Sequence, residues 1–282
     1  MSQDPTSSIA KIADGHGYLL RSIESRGSAE PAAAELPRSI GRRESQLEEK
    51  FRSIYMRYSE QEQANQFPIH VEHTRAVRRE AGVNQWKFPD VVLLSWEVGK
   101  PTDQGYRLDP YLLAIKTSLG EPPFSLKSVE LKVALSLSTF RADFFQCVSN
   151  SKWAHRAELA VADTVNDDTL RTELRRLGAS YDVSVVSYGL PPHLLESLPN
   201  ASEILNMPAA EFDKEVAEKI TRNPLTTGNK RASLDWEHIN DLRDLNAFPL
   251  LFEWIAHCLA QKKPYTFNEF QQIQKIERRM SY

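Results

Sequence analysis

The sequence contains only two cysteines, Cys147 and Cys258, which lie far apart in the chain. They do not have the paired spacing of a disulfide framework or of a zinc cluster, so neither kind of covalent or metal cross-link is indicated. Such cysteine usage is typical of a protein that works in a reducing compartment, and we therefore expect a cytoplasmic location.

Hydrophobic runs long enough to cross a bilayer are also missing from the sequence. The N-terminus, MSQDPTSSIAKIADGHG, lacks the basic start and the following apolar stretch that direct a protein to secretion. We therefore expect a soluble, unprocessed chain without a membrane partner.

No charge of one sign dominates the sequence, because the formal net charge is -3. A nucleic acid partner would therefore have to bind a local basic patch or a metal ion. With 41% hydrophobic and 26% charged residues, the composition is that of an ordinary globular protein. A length of 282 residues leaves room for one large domain, or for a medium domain with appendages.

The sequence pattern divides the chain into three regions. Residues 1–40 are rich in Ser, Ala, Pro and Glu, which predicts a flexible N-terminal leader. Residues 41–190 mix strand and helix patterns and form the expected central domain, whereas residues 191–282 carry helical patterns only. We therefore predict a helical C-terminal region that is separable from the central domain. The alternative is that its apolar faces, with Phe248, Leu250, Leu251 and Trp254, complete the core of that domain.

The central region begins with an amphipathic helix that follows Arg42 and has Glu44 near its start. The segments FPIHVEHT, PDVVLLSWE and SVELKVALSLS then show strand patterns, and we predict that these three strands form an antiparallel meander. The helical patterns FRADFFQCVSNSKWAHR and DDTLRTELRRLG alternate with the strands ELAVAD and VSVVSYG, which is typical of parallel pairing. These patterns predict an α/β fold with a mixed sheet flanked by helices.

The sharpest local feature is Glu130-Leu131-Lys132 on the third strand. Strand alternation places the Glu130 carboxylate and the Lys132 ammonium on one face of the sheet. Asp90, at the start of the preceding strand, would supply a second carboxylate, and carboxylate oxygens are the ligands that Mg²⁺ prefers. Taken alone, a Glu-x-Lys pair also fits the solvated edge of a sheet.

In this order of motifs the chain resembles the PD-(D/E)xK nuclease superfamily over residues 42–190. The resemblance is carried by Glu44 on the leading helix, Pro89-Asp90, Glu130-Leu131-Lys132, and Gln146 on the following helix. The segments NQWKFPDVV and FFQCVSNSKWAHRAELAVA are similar to the bacterial HrgA-like group, which is associated with restriction and defence loci. The resemblance implies a restriction-endonuclease-like sheet with a helical C-terminal appendage.

The resemblance also implies a role for each motif residue. Asp90 and Glu130 would bind Mg²⁺ or Mn²⁺, with Glu44 as an accessory ligand. Lys132 would stabilise the transition state or the attacking water, and Gln146 would lie beside that water.

Four further residues are expected to contact nucleic acid. Arg75, Arg78 and Arg79 form a basic stretch that would clamp phosphates, with a solvated loop as the equally favoured alternative. Some members of the superfamily have Tyr four residues after the motif Gln, where this chain has Asn150. Helical spacing places Asn150 on the same face as Gln146, so we expect it to contact nucleic acid too.

These observations predict a divalent-metal-dependent deoxyribonuclease of a restriction, defence or repair system. The alternative is a catalytically idle nuclease-like module that binds nucleic acid or a partner protein. The C-terminal helices are the expected surface for such a protein partner or for a homodimer.

Overall fold

The computed structural model of the chain describes residues 9–11, 18–20, 35–62, 65–71, 86, 88–103, 105–243 and 248–280. They divide into two compact units, Met1–Arg42 and Arg43–Tyr282. The first unit contains a short antiparallel pair, β1 (Ile9–Lys11) and β2 (Tyr18–Leu20). The division lies close to residue 40, where the composition of the sequence changes.

The second unit begins within helix α1 (Glu35–Glu62). This segment is helical because its apolar residues recur at a spacing that forms one stripe. Leu47, Phe51, Ile54 and Tyr55 make up the stripe, and all four are buried. The helix predicted after Arg42 is therefore confirmed, and its apolar stripe packs on the sheet described next.

The second unit is built on one six-stranded sheet. The strands of this unit are β3 (Gln66–His70), β4 (Val91–Trp96), β5 (Gly99–Thr102), β6 (Gly105–Leu108), β7 (Phe124–Lys132), β8 (Arg156–Val161), β9 (Val183–Ser187) and β10 (Asn223–Thr226). Six of them pair in the order β10-β9-β8-β7-β4-β3, while β5 and β6 form a separate hairpin. The polar insertion after β4, whose structure the sequence pattern did not indicate, is this hairpin followed by a helix.

Strand direction changes in the middle of the sheet. β3, β4 and β7 pair antiparallel, β7, β8 and β9 pair parallel, and β10 returns antiparallel at the edge. The helices are α2 (Pro110–Ser118), α3 (Phe140–Asn150), α4 (Asp168–Tyr181), α5 (Pro192–Ser197), α6 (Ala201–Asn206), α7 (Ala209–Glu215), α8 (Trp236–Leu242), α9 (Phe248–Gln261) and α10 (Phe267–Met280). The predicted mixed α/β sheet flanked by helices is confirmed, as is a C-terminal helical region. The expectation of helices alone after residue 190 is wrong in one place, because β10 lies there and pairs with β9.

Both faces of the sheet are covered, so the central strands alternate between two cores. Val129 and Leu131 of β7 pack with α1 and with helices α5 to α7. Phe124 and Leu126 of the same strand lie on the other face of the sheet and pack with the C-terminal helices. Helices α3 and α4 extend that second face over β8 and β9. Among the described residues, no helix is long and apolar enough to span a membrane.

The C-terminal helices complete the core of the second unit. Phe248 of α9 is fully buried and lies 4.9 Å from the ring of Trp153 and 5.5 Å from that of Phe88. Trp254 of the same helix is also fully buried, and its Nε1 donates to the Tyr265 carbonyl. This packing favours the alternative that the apolar faces of the C-terminal region complete the core, because removal of the region would expose apolar surface of the sheet.

Replacing Phe248 with Ala tests this dependence. We expect the variant to lose about 3 to 5 kcal/mol of unfolding free energy, because the substitution leaves a cavity between α9 and the sheet. Urea denaturation of the full chain measures the loss, with Leu205→Ala as the exposed control. An unchanged stability of Phe248→Ala would show that the C-terminal helices are separable after all.

Candidate active site

The start of β4 and the end of β7 bring the predicted carboxylates together. The Asp90 N–H donates to the Val129 carbonyl at 3.1 Å, and the Asp90 carboxylate Oδ2 accepts from the Leu131 N–H at 2.8 Å. Asp90 therefore holds β7 on both sides of Glu130. The PD motif and the Glu-x-Lys motif meet because β4 and β7 are antiparallel neighbours.

His70, at the end of β3, supports this position of Asp90. Its Nδ1 lies 3.0 Å from the Asp90 carbonyl, which also accepts from the Val71 N–H at 3.0 Å. The imidazole Nε2 lies 3.5 Å from a guanidinium nitrogen of Arg52 on α1. His70 thus connects Arg52 of α1 to the backbone of Asp90.

The Glu130 carboxyl group is almost completely buried, with 2% of the residue exposed. Oε1 accepts from the Lys132 ammonium at 3.0 Å, and Oε2 accepts from the Asn150 amide at 2.9 Å. Asn150 donates to the Phe88 carbonyl as well, at 2.9 Å. Glu130 is therefore fixed by its own strand on one side and by helix α3 on the other.

Lys132 links the strand to helix α3. Besides Glu130, its ammonium donates to Gln146 Oε1 at 3.1 Å and lies 3.8 Å from Asp143 Oδ1. Asp143, Gln146 and Asn150 are spaced so that they share one face of α3. The structure thus brings Asp90, Glu130, Lys132 and Gln146 into one connected group.

The electrostatics of this group follow from burial. Burial, and after it the nearby Asp90 carboxylate, raise the pKa of Glu130 to about 8, against the opposing effects of Lys132 and Asn150. Burial alone would lower the pKa of Lys132, but Glu130, Asp90 and Asp143 together outweigh burial and the pKa is raised. The site therefore keeps a charged ammonium next to a carboxyl group that holds its proton near neutral pH.

Helix α1 contributes a carboxylate that the motif order did not identify. The sequence favoured Glu44, and both Glu44 and Glu48, one turn later, are exposed residues. Partial burial of the Glu48 carboxyl nevertheless raises its pKa, and so does the Asp90 carboxylate, whereas Lys132 lowers it. Glu48 therefore lies within electrostatic reach of the site. The spacing of four between Glu44 and Glu48, which places both on one helix face, was the signal available in the sequence.

Two expectations about nucleic acid contacts have different outcomes. Asn150 has no exposed surface, so its side chain has none to offer to a nucleic acid. The structure corrects its role: Asn150 positions Glu130, because its amide reaches inward to the carboxylate instead of outward. Arg75, Arg78 and Arg79 lie outside the described residues.

The oxygen donors of the site fit a hard divalent cation. In the part of the chain that the structure describes, no three Asp, Glu, His or Cys side chains are already arranged around a common point. Mg²⁺ needs only one or two carboxylates, since it keeps several of its waters. Asp90 and Glu130 would be these ligands, and Glu48 interacts electrostatically with the same group of residues.

Comparisons with models of protein families, with curated proteins and with solved structures found no match for this chain. The arguments about the site therefore depend on its own geometry.

The raised pKa of Glu130 predicts how stability changes with pH without metal. The folded protein binds this proton more tightly than the unfolded chain, whose pKa is near the ordinary value of 4.5. The contribution is therefore fully present below pH 4.5 and is lost as pH rises to about 8. Glu130→Gln removes it, so we expect the variant to gain stability relative to the native protein as pH rises over this range.

Urea denaturation in EDTA measures the difference in unfolding free energy between Glu130→Gln and the native protein, once at about pH 5 and once at about pH 9. Glu211→Gln, at an exposed position of α7, is the matched control. A constant difference between Glu130→Gln and the native protein across this range would contradict the argument.

Proposed function

We propose that the protein is a divalent-metal-dependent deoxyribonuclease of restriction-endonuclease-like fold, acting in a restriction, defence or repair system. The observation that supports this most is the connected group of Asp90, Glu130, Lys132 and Gln146. Its members come from separate segments of the sequence: Asp90, Glu130 and Lys132 lie where the start of β4 meets the end of β7, and Gln146 lies on α3. Two carboxyl groups beside a charged ammonium provide what phosphodiester hydrolysis requires: ligands for a cation and a donor for developing negative charge.

The bound cation, Mg²⁺ or Mn²⁺, would polarise the phosphoryl oxygen and make a bound water more acidic. Asp90 and Glu130 would hold this cation. Lys132 donates to the phosphoryl oxygen on which negative charge develops, and this donor matters because the site is largely shielded from water. Gln146 orients the Lys132 ammonium through the hydrogen bond between them. Asn150 orients the Glu130 carboxylate in the same way.

DNA is the proposed substrate, and its recognition would involve the basic stretch that precedes Asp90 in the sequence. Arg75, Arg78 and Arg79 would bind phosphates without reading bases, because guanidinium contacts to the backbone carry no sequence information. Such contacts would compensate for the net charge of -3, which gives the whole protein no attraction for DNA.

A second candidate function is an idle nuclease-like module that binds nucleic acid or a partner protein. The close contact between Lys132 and Glu130, at 3.0 Å, favours this alternative, because the ammonium occupies a carboxyl oxygen that a metal would need. A protein partner or a second copy of the chain would then bind the outer surface of the C-terminal helices, since their inner faces are buried.

Cleavage of supercoiled plasmid DNA separates the two functions. We expect nicking with Mg²⁺ or Mn²⁺ and none in EDTA. Glu130→Gln and Lys132→Ala should each reduce the rate by about a hundredfold or more, because each removes a group that touches the ion or the reacting phosphate. Lys214→Ala, at an exposed position of α7, should cleave at the native rate.

Lack of cleavage by the native protein under all metal conditions, together with retained DNA binding, would support the idle module instead. A native rate in either Glu130→Gln or Lys132→Ala would show that cleavage arises elsewhere.

The two glutamates of α1 provide an internal comparison. We expect Glu48→Gln to reduce cleavage by about tenfold or more, because its carboxylate interacts with Asp90 and Lys132. Glu44→Gln changes the same charge on the same helix face and should have the smaller effect. Plasmid cleavage at limiting Mg²⁺ measures both, and a larger loss for Glu44→Gln would restore the assignment made from the motif order.

A further inference from the structure

We infer that the protein has a second binding site, for a phosphomonoester, in a polar pocket on the face of the sheet that carries α1. The pocket has a volume of about 310 Å³. Residues that line it and carry the argument are Ser95, Ser125, Lys127, Arg156, Ser184 and Arg222. This inference does not depend on the proposed nuclease function.

The pocket lies away from the candidate active site. Lys127 and Lys132 are both on β7, but an odd separation places them on opposite faces of the sheet. Their positions are roughly 17 Å apart along the strand. A ligand in the pocket would therefore not contact Asp90, Glu130 or Lys132.

Polar residues form a continuous row across the central strands at this pocket. Ser95 is paired with Ser125, Lys127 with Arg156, and Glu158 with Ser184. Residues at the centre of a covered sheet are usually apolar, because an unpaired polar group there costs free energy. A row of polar residues in this place is typical of a binding site, whereas a packed core has apolar residues there.

Glu158 holds Lys127 in position beneath the pocket. Only 2% of Glu158 is exposed, and its carboxylate accepts from the Tyr55 and Tyr188 hydroxyls, each at 3.0 Å, and from the Lys127 ammonium at 2.8 Å. Burial would raise the pKa of Glu158, but Lys127 and Tyr55 outweigh it and keep the carboxyl ionised. Its negative charge is thereby matched within the protein.

The remaining charges leave the pocket positive. Glu97, the other carboxylate of the lining, makes ion pairs with Lys116 at 3.2 Å and with Lys230. Arg156 has no carboxylate in ion-pair contact among the described residues. Arg222 hydrogen-bonds the Tyr188 hydroxyl and interacts electrostatically with the Glu158 carboxylate. Three cationic side chains of the lining, Lys127, Arg156 and Arg222, thus face its two carboxylates, Glu97 and Glu158.

Hydroxyl groups supply further donors. Within the described ranges, Ser95 and Ser125 form no hydrogen bond to another side chain, although Ser125 is only 5% exposed. Both line the pocket, and their hydroxyls are available to a ligand. Guanidinium groups together with hydroxyls recognise phosphate, whose oxygens accept several charge-assisted hydrogen bonds.

The size of the pocket favours a phosphate that carries an organic group. A volume of about 310 Å³ lies at the lower end of the range for small-molecule sites. It is larger than the volume that inorganic phosphate would fill. A nucleoside monophosphate has suitable chemistry, because its base and ribose would contact the amide and hydroxyl groups of the lining. The same phosphate chemistry occurs in the backbone of a nucleic acid strand, and the test distinguishes the two sources.

Calorimetric titration of the full chain in EDTA tests the inference. The probes are adenosine 5′-monophosphate, inorganic phosphate, and a short single-stranded oligonucleotide without a terminal phosphate. We expect the monophosphate to bind more tightly than phosphate. Arg156→Gln and Arg222→Gln should each weaken its binding by about tenfold or more, because each removes a charged hydrogen-bond partner.

Arg175→Gln is the matched control, because Arg175 is exposed on α4 and outside the pocket lining. It should bind the monophosphate as the native protein does. Binding of only the oligonucleotide, weakened by the two pocket variants, would overturn the monophosphate and identify a nucleic acid backbone as the source. The proposal fails if no probe binds at millimolar concentration, or if Arg175→Gln weakens binding as much as Arg156→Gln.

Discussion

The candidate active site depends on one constraint: a carboxyl group is buried beside another carboxylate. Glu130 is nearly inaccessible, and Asp90 is held against its strand by hydrogen bonds on both sides. Two negative charges in this position would repel each other, so a proton or a cation must compensate one of them. Lys132 and Asn150 compensate it in part, through their hydrogen bonds to Glu130. The same need for compensation is the physical reason to expect a divalent cation at the site.

Strand β7 contributes a lysine to each of two polar clusters, one on each face of the sheet. Lys132 belongs to the candidate active site and Lys127 to the polar pocket. In each case a buried glutamate holds the lysine, but the surroundings differ. Glu158 accepts three hydrogen bonds and has a lowered pKa, whereas burial and a neighbouring carboxylate raise that of Glu130. The first arrangement is electrostatically satisfied as it stands, and the second is suited to an added positive charge.

Much of this arrangement was predictable from the sequence, because strand alternation alone places Glu130 and Lys132 on one face. The mixed sheet and the antiparallel pairing that brings Asp90 to β7 also followed from the pattern of strands. The orientation of α1 did not, since Glu44 and Glu48 share a helix face and only packing decides which one reaches the site. Likewise, helical spacing could place Asn150 near Gln146 without showing that its amide points inward to Glu130. Packing also decides that Phe248 joins the core, which a helical pattern after residue 191 does not reveal.

The most direct test of the central claim is the number of protons released when Mn²⁺ binds. Titration calorimetry near pH 7, repeated in buffers with different heats of ionisation, gives this number. The account predicts release of about one proton per ion, because the cation must displace the proton of Glu130, and it predicts that Glu130→Gln abolishes the release. Binding without proton release, or release that persists in Glu130→Gln, would contradict a metal centre built on Asp90 and Glu130.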